Sequence, residues 1–385
     1  MKLNINEVEI RATSPDNDLV IRDIISLFHE AYGDTYPVQS IYQQQFWKSH
    51  VGSRFTSLVA VHNEEVIAHL AASKDSQSEY HFQICFPVCK PDLVDHIPAL
   101  GKKAWEVFTR QGKRQDWQMI YYFTFNNVPA FQQLADNVLH TQEVAICPSY
   151  FPATNFRTRG LKSQQSFLTD HRTNIVVTQR VFPRTGEHKR TLFVPHYHEA
   201  ICKELYSTLP LVREFEGSLL QDASIPLVSA VGASAIQRAC FTQTGTCHAF
   251  VQPSLVENHE AAVCDIDTSR AISSFVLVNL EDHSCPSFCH ILEEHGYRFC
   301  GVFPLLRDHD RIMYFKGKEL NHPVETYQSA RAQMLADYME SYTVLNTKAA
   351  IPLADQLPAL DEIDGAGGNG KAQSAQPKLD LEECA

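Results

Sequence analysis

The sequence predicts an α/β (α+β) fold, a sandwich in which helices cover a mixed and mostly antiparallel sheet. Three observations support this prediction. Residues 16–33 repeat apolar side chains at helical spacing. Residues 56–61 and 66–73 are strand-like runs around a polar turn, as in a β-hairpin. From residue 80 to residue 147, strand-like and helical patterns then alternate, as expected when helices connect the strands of one sheet.

The first half of the chain follows this plan element by element. Asp16 to Asp18 offer N-caps to the first helix, and Gly33 stands where its C-terminus needs a residue that tolerates positive φ. The elements predicted after the hairpin are a buried strand at 80–88, a helix around 97–108, an aromatic-rich strand at 117–125, a helical stretch at 129–137 and a strand at 142–147.

The second half repeats this plan more faintly. Pro195 is well placed to open a helix, because proline is favoured in a first helical turn. The elements predicted after it are strand-like runs at 247–252, 261–267 and 274–280, a helix at 286–295, a strand at 297–304 and a helix at 329–342. We therefore predict an N-terminal domain at 8–153, a linker with a short strand at 154–193, a C-terminal domain at 194–345 and a disordered tail at 346–385.

Composition limits the possible functions. The 385 residues carry 33 Lys and Arg against 45 Asp and Glu, a net charge of −12. An acidic surface does not attract nucleic-acid phosphates or anionic lipid, so we expect neither a nucleic-acid nor a membrane partner. No apolar run is long enough to span a bilayer, and the acidic start does not resemble a secretory signal, so we expect a cytoplasmic protein. In that compartment the eleven cysteines are expected to be free thiols.

Four segments resemble one family of enzymes. They are residues 30–47 after the first helix, the hairpin at 57–73, the central helix region at 194–215 and the closing elements at 275–304. Together they are similar to the GNAT superfamily of acyl-CoA-dependent N-acyltransferases, and in particular to a bacterial subgroup with two tandem GNAT-like halves. The resemblance implies that each half is a mixed, mostly antiparallel sheet flanked by helices, the C-terminal half being degenerate.

The sequence departs from that family where acyl-CoA is held. The family binds the pyrophosphate with an Arg/Gln-x-x-Gly-x-Gly/Ala loop, whose backbone N–H groups and helix N-terminus attract anions. The equivalent segment, residues 87–106, lacks this motif and carries Asp92 and Asp95. The remaining phosphate partners are Lys90, Gly101, Lys102 and Lys103.

The family's acid for the departing thiolate is also missing. In the family a tyrosine often protonates this thiolate, and the matching position here is Leu134. Leucine cannot donate a hydrogen bond. The resemblance therefore predicts the fold more strongly than the activity.

The resemblance implies three groups of site residues. A base that deprotonates the amine is expected among His69, Glu79 and His81, which otherwise are solvent-facing or hydrogen-bonded to neighbours. CoA is expected to contact the fourth strand at Ile84, Phe86 and Val88, the helix at Gly101 and Lys102, and the polar pair Asn126 and Asn127, which otherwise form an Asx turn. The substrate is expected near Tyr32, Asp34, Tyr36 and Tyr42, whose tyrosines otherwise cap the core.

No metal site is expected. A cluster of cysteines and histidines invites a zinc interpretation. Its members are Cys285, Cys289 and His290, with His283, His295 and Cys300 nearby. However, they lack a clean second ligand pair, and Cys289 also fits the core stripe of its helix. Cys247 and His248 are adjacent on a predicted strand, so their side chains point to opposite faces and cannot form a nucleophile–base pair.

The resemblance implies a transferase that moves an acyl group, with acetyl as the expected one, from a CoA thioester to an amine of a small molecule or peptide. Acetyl-CoA or another acyl-CoA is then the co-substrate, with no bound cofactor. Two alternatives stay open: a catalytically inactive GNAT-fold binding or regulatory protein, and a transferase fed by an acyl carrier protein. An acidic carrier has possible contacts in the basic residues Lys102, Lys103, Arg110, Lys113 and Arg114.

Overall fold

The computed structural model describes most of the chain. The described residues are 3–75, 78, 80–112, 117–125, 128–151, 172–183, 189–218, 235–241, 245–268, 271–317, 327 and 329–349. They form a mixed α/β fold built on one large, mostly antiparallel sheet with helices packed against it, as the sequence predicted. Within these ranges no helix is both long enough and apolar enough to cross a membrane.

The strands are numbered in chain order. In the first half they are β1 (Glu9–Ala12), β2 (Phe55–His62), β3 (Glu65–Lys74), β4 (His81–Cys89), β5 (Met119–Phe125), β6 (Gln142–Phe151) and β7 (Thr173–Val181). In the second half they are β8 (Arg190–Pro195), β9 (Arg213–Ser218), β10 (Ile236–Phe241), β11 (Thr246–Val251), β12 (Ser273–Asn279), β13 (Arg298–Leu306) and β14 (His309–Gly317).

The helices connect these strands. They are α1 (Asp18–Tyr32), α2 (Gln44–His50), α3 (Ile97–Gly112), α4 (Pro129–Gln133), α5 (Glu199–Tyr206), α6 (His259–Asp267), α7 (Cys285–Glu294) and α8 (Ala330–Ala349). Short 3₁₀ helices occupy Ile5–Glu7, Gln39–Tyr42, Pro91–His96, His196–His198 and Pro253–Leu255. A π-helical turn, Leu134–Leu139, continues α4.

The order of the strands repeats. The main sheet runs β1-β2-β3-β4-β5-β7-β6-β13-β14-β12-β11-β10. Two sets of five neighbouring strands have the same series of pairings, which is antiparallel, parallel, antiparallel and antiparallel. The sets are β3-β4-β5-β7-β6 and β10-β11-β12-β14-β13. A helix, α3 or α6, makes each parallel crossover. The chain therefore contains two topologically equivalent halves joined edge to edge.

The join between the halves is a close approach of two backbones. Strands β6 and β13 pair at Ala145 and Gly301. Gly301 has φ +138°, and a Cβ built on it would lie 2.4 Å from the Val144 carbonyl oxygen and from the Ala145 Cα. Only glycine fits a position with positive φ and no space for a side chain.

The first helix forms for the reasons read from the sequence. The Asn17 side chain accepts a hydrogen bond from the Val20 N–H, and Gly33 at the C-terminus has φ 62°. Ile21, Ile24 and Phe28 are fully buried, and α1 packs on β3 and β4. The predicted helix at 16–33 is confirmed with slightly shorter bounds. The segment that follows α1 contains the additional helix α2.

Several expectations differ from the structure. Residues 261–267, predicted as a strand, belong to α6, because Asn258 caps a helix by accepting from the Ala261 N–H. The short strand predicted in the linker 154–193 is present as β7, but it pairs with both β5 and β6 and so belongs to the main sheet. The strand β8, which begins within this range and ends beyond it, pairs with β9 in a separate two-stranded sheet.

Two further predictions were wrong, one about the cysteines and one about where the C-terminal tail starts. Cys240 and Cys247 face each other across the β10–β11 hairpin and form a disulfide, whereas free thiols were expected. The last helix continues to Ala349, beyond the predicted start of the tail at residue 346. The remaining tail residues lie outside the described ranges.

Candidate active site

A cleft opens where the two parallel strands of the first half diverge. Strands β4 and β5 pair in register only from His81 and Met119 to Ile84 and Tyr122. Beyond these residues β4 continues to Cys89 and β5 to Phe125 without pairing to each other. The carboxyl ends of parallel strands are a frequent place for ligands, because diverging strands leave backbone groups outside the sheet's hydrogen-bond ladder.

A β-bulge in β4 lies at this divergence. Against β3, Cys85 pairs with Ala71 and Val88 pairs with His69, so Phe86 and Pro87 together lie opposite the single residue Leu70. Phe86 has φ 55°, which is unusual for a side chain of this size. Phe86 has no partner residue in the register of either neighbouring strand, and proline at position 87 has no N–H to offer.

His69 is placed to hold the bulge. Its Nδ1 lies 2.9 Å from the Phe86 carbonyl oxygen, and its Nε2 lies 3.0 Å from the Ser57 hydroxyl oxygen. Since a carbonyl only accepts, Nδ1 carries the proton and Nε2 accepts from Ser57. Burial lowers the pKa of His69 to about 4, although the hydrogen bond to Phe86 opposes this shift. The ring is thus neutral at pH 7, and both nitrogens are engaged.

The cleft is mainly apolar. It has a volume of about 390 Å³, including the part open to solvent. Its walls come from β4, β5, the end of β6 and the loop after α1. The lining residues are Tyr36, Pro37, Val38, Gln83, Ile84, Cys85, Phe86, Pro87, Tyr122, Phe123, Phe125 and Phe151. A narrow apolar cleft of this kind suits a thin, uncharged chain.

The polar groups of the cleft are neutral. Burial raises the pKa values of the Tyr36 and Tyr122 hydroxyls and of the Cys85 thiol well above their ordinary values. The Tyr36 hydroxyl makes no hydrogen bond to any residue that the structure describes, although its ring is packed against Phe28, Phe86 and other aromatics. The cleft therefore offers proton donors, whereas a thiolate or tyrosinate base is disfavoured there.

Two of the lysines expected to bind phosphate make contacts within the protein. The segment after β4 is a 3₁₀ helix that contains Asp92 and Asp95. The Lys90 ammonium forms an ion pair with Glu65, and the Lys103 ammonium donates to the Val8 carbonyl oxygen at 2.8 Å. Lys102 is exposed on α3. This end of the cleft is poorly suited to a pyrophosphate.

Gly101 and Leu134 contact each other instead of a ligand. A Cβ on Gly101 would lie 2.1 Å from the Leu134 Cδ1 atom, so the glycine lets α3 approach the π-helical turn. Both residues also border a second apolar cavity of about 420 Å³ between α3 and the sheet. Gly101 is thus used for helix packing. Leu134, at the position of the family's acid, is a core residue that is 2% exposed.

A double-mutant cycle tests this contact. Gly101→Ala is expected to lower the free energy of unfolding by about 1–3 kcal/mol, the usual cost of overpacking a core. Leu134→Ala is expected to cost about 2–5 kcal/mol through the lost side chain and cavity. In the double variant the new methyl group occupies space vacated by leucine, so the two costs should not add. Additive values in urea unfolding would contradict the contact.

The equivalent cleft in the second half is closed. Strands β11 and β12 pair along the whole of β11, from Thr246 to Val251. Just beyond, the Asn279 side-chain amide donates to the Gln252 carbonyl oxygen at 2.7 Å, and the Gln252 amide donates to Asp282 at 2.9 Å. The second half therefore lacks the divergence that opens the first.

The other predicted substrate residues are divided between core and surface. Tyr32 is buried in the core beside Tyr36, with the ring centroids 5.0 Å apart. Asp34 is exposed and lies 3.1 Å from the His29 Nδ1. The Tyr42 hydroxyl accepts from the Tyr36 N–H at 3.3 Å. Of the four, Tyr36 is the one that lines the cleft, and Tyr42 supports it.

The remaining predicted residues are distributed as follows. His81 is fully buried at the start of β4, with its Nε2 3.7 Å from an Asp308 carboxylate oxygen of the second half. Ile84 and Phe86 line the cleft, and Val88 lines the second cavity. Glu79, Asn126 and Asn127 lie outside the described residues, as do Lys113 and Arg114. Sequence reasoning missed Tyr122, Phe125 and Phe151, since aromatics on strands look like ordinary core.

The acid sensitivity of the fold should depend on His69. Its pKa is about 4 in the folded protein and near its ordinary value of 6.5 in the unfolded chain. Protonation therefore favours unfolding, and the stabilisation present above pH 6.5 is lost as the pH falls toward 4. The loss is about 3 kcal/mol. In urea titrations, His69→Leu should have a lower free energy of unfolding than the wild type at pH 7. This free energy should fall less on acidification than that of the wild type. Equal pH slopes for the variant and wild type would contradict this assignment. His290→Leu, at a partly exposed position, is the control.

Comparison with known proteins finds similar structures. No family model matches the sequence, and no curated protein matches it. Among solved structures, the ribosomal-protein-S18-alanine N-acetyltransferase from Escherichia coli is 13% identical, with a TM-score of 0.35, covering 47% of this chain and 97% of the other. The aminoglycoside 6'-N-acetyltransferase from Enterococcus faecium is 11% identical, with a TM-score of 0.32, covering 46% and 99%. YncA from Salmonella typhimurium, solved with acetyl-CoA, is 12% identical, with a TM-score of 0.36, covering 47% and 97%. At these values the likeness establishes no activity.

Proposed function

We propose that the protein is an acyltransferase of the GNAT type that moves an acyl group from a CoA thioester to an amine. The supporting observation is the cleft between β4 and β5, which opens after Ile84 and Tyr122 around the bulge at Phe86. The pantetheine arm of CoA is a thin and mostly uncharged chain, which suits a narrow apolar cleft. The first half is then the catalytic half, since the equivalent strands β11 and β12 stay paired.

The bulge supplies a hydrogen-bond donor for the thioester carbonyl oxygen. In this proposal the thioester carbonyl oxygen accepts a hydrogen bond from the N–H of Phe86, a residue that has no partner in the register of either neighbouring strand. A fixed donor stabilises the negative charge that develops on this oxygen when the amine attacks the carbonyl carbon. His69 acts as a positioning residue, because it holds the Phe86 carbonyl and with it the bulge.

Tyr36 takes the role of the acid that Leu134 cannot fill. As the carbon–sulfur bond breaks, the thiolate takes the proton of the Tyr36 hydroxyl, and the amide remains on the acceptor. The proton that the amine releases returns to Tyr36 through solvent, so no tyrosinate is left in the cleft. Its raised pKa keeps this hydroxyl protonated at neutral pH. The amine must arrive deprotonated or lose its proton to solvent or to a group outside the described residues, because His69 is fully engaged.

The phosphate contacts are expected to contribute little. Lys90 and Lys103 are already paired, and Asp92 and Asp95 lie where the pyrophosphate would be held. Acetyl-pantetheine, which lacks the nucleotide, should therefore bind within roughly tenfold of acetyl-CoA, a difference of about 1.4 kcal/mol. Competition titration of the two thioesters measures this. Binding of acetyl-CoA that is a thousandfold tighter would contradict the assignment of affinity to the cleft.

Thioester cleavage is the direct test of the proposed function. The protein should release free thiol from acetyl-CoA when primary amines are supplied, and mass spectrometry should find the acylated amine. The second candidate is an inactive protein that binds ligands in the cleft, favoured by Leu134 and by the two acids of the 3₁₀ helix. Thioester binding without thiol release from any amine would favour this second candidate.

A further inference from the structure

Three metal-ligating side chains meet on the second half, outside the cleft. Glu260 and Cys264 lie on α6, four residues apart, and His295 follows the end of α7. One ligand atom from each lies within 4.8 Å of the other two. From this cluster we propose that Glu260, Cys264 and His295 bind a zinc ion, at a site distinct from Cys285 and Cys289.

The geometry of the helices brings the ligands together. Residues four apart on a helix project from the same face, so Glu260 and Cys264 present their side chains to one point. The helices α6 and α7 pack against each other, and the His295 Nε2 lies 2.6 Å from a Glu260 carboxylate oxygen. A metal ion at this point connects the end of α7 to the middle of α6.

A second layer of contacts orients the histidine. The other ring nitrogen of His295, Nδ1, lies 3.7 Å from an Asp267 carboxylate oxygen. Asp267 is itself fixed by the Tyr297 hydroxyl at 2.8 Å and by the Lys316 ammonium at 2.7 Å. Histidines that bind metals commonly face a carboxylate with the second nitrogen, which fixes the ring and its tautomer. This arrangement is independent of the ligand cluster and points to the same ion.

The donor set selects the metal. One thiolate, one imidazole and one carboxylate suit zinc, whereas magnesium and calcium prefer oxygen ligands alone. Three protein ligands leave the fourth tetrahedral position for water. Binding releases the thiol proton of Cys264 to solvent as the zinc–sulfur bond forms, so the affinity should fall at acidic pH.

Cys264 differs from the other thiols. Among the eight free cysteines that the structure describes, the other seven are buried, and Cys264 is exposed. The buried Cys285 and Cys289, with sulfur atoms 3.7 Å apart on α7, are a competing location for a soft metal. The variants must therefore separate these two locations.

The experiment uses the full chain, reduced and freed of metal by a chelator. Zinc chloride is titrated by calorimetry in the presence of a competing chelator of known affinity, and cobalt chloride is followed by absorption. One zinc per chain should bind at the proposed site, and cobalt should give a thiolate-to-cobalt charge-transfer band. The ligand variants are Cys264→Ser and His295→Gln, and Asp267→Asn tests the second layer. All are checked by circular dichroism, and their partly exposed positions favour folded variants.

The matched control is His290→Gln. His290 lies on the same helix α7 and faces Glu294 at 3.4 Å, a histidine–glutamate pair without a cysteine. Asp267→Asn is expected to weaken zinc binding by roughly 10–100-fold, and each ligand variant by more than this. His290→Gln should bind zinc as the wild type does.

Two results would overturn the proposal. One is the absence of zinc binding by the wild-type chain. The other is unchanged zinc affinity and an unchanged cobalt band in Cys264→Ser, which would assign the metal to Cys285 and Cys289 or to another location. The proposal would be supported by loss of the cobalt band in Cys264→Ser, together with an unchanged zinc affinity in His290→Gln.

Discussion

Replacing Tyr36 with phenylalanine should lower kcat for acyl transfer by about 100-fold or more, within the usual range for a general acid. The substitution keeps the ring, which packs against Phe28 and Phe86. It removes only the hydroxyl of this cleft-lining residue. Because the acid acts as the carbon–sulfur bond breaks, the KM for the thioester should change little. Initial rates of thiol release over a range of thioester concentrations measure both constants.

Tyr32→Phe is the matched control for this change. Tyr32 is also a buried tyrosine, with its ring 5.0 Å from that of Tyr36, but it does not line the cleft. The same atom is removed a short distance away, so a general effect on folding would appear in both variants. An equal loss of kcat in both, or no loss in Tyr36→Phe, would contradict the role of Tyr36 as acid.

Replacing Gly301 with alanine should destabilise the join between the halves by about 3 kcal/mol or more, through positive-φ strain and overpacking together. The new Cβ would lie 2.4 Å from backbone atoms of Val144 and Ala145. Backbone atoms of a sheet cannot move aside as a flexible side chain can. The strands β6 and β13 must then separate locally. Urea unfolding of purified protein measures the loss.

Gly296→Ala separates strain from overlap. Gly296 also has positive φ, at 80°, but a Cβ there meets no atom within 4 Å. It should cost only the strain, about 1–2 kcal/mol. A similar cost for the two variants would show that the close approach of β6 and β13 is unimportant.

Local structure could be predicted from the sequence wherever periodicity and capping act together. The first helix is an example, since Asn17, Gly33 and the apolar stripe all favour the same bounds. The strand prediction for the segment 261–267 was wrong for the opposite reason. Its short apolar run fits a strand or a helix equally well, and the Asn258 cap that decides for the helix lies outside the run.

The order of the strands could not be predicted from patterns. The position of β7 between β5 and β6 depends on pairings with residues more than 20 positions away along the chain. The pairing of β6 with β13 depends on a single glycine, Gly301, which resembles any glycine in a strand. The disulfide between Cys240 and Cys247 likewise depends on the register of a hairpin.

The candidate site was predicted in part. The family resemblance directed attention to the fourth strand and to the loop containing Tyr36, and both border the cleft. It could not reveal that β4 and β5 diverge after Ile84 while β11 and β12 remain paired, because divergence is a property of two strands together. It also assigned Gly101 to a phosphate, whereas this residue packs against Leu134.

Thioester binding by calorimetry tests the central claim, that the β4–β5 cleft holds the acyl donor. The wild-type protein is titrated with acetyl-CoA, and so are Val38→Trp, which fills the cleft from its loop, and Val212→Trp, a control at a 57% exposed valine. The account predicts binding by the wild type and by Val212→Trp, and at least tenfold weaker binding by a folded Val38→Trp, a loss of about 1.4 kcal/mol. No heat with the wild type, or equal affinity in all three proteins, would contradict it.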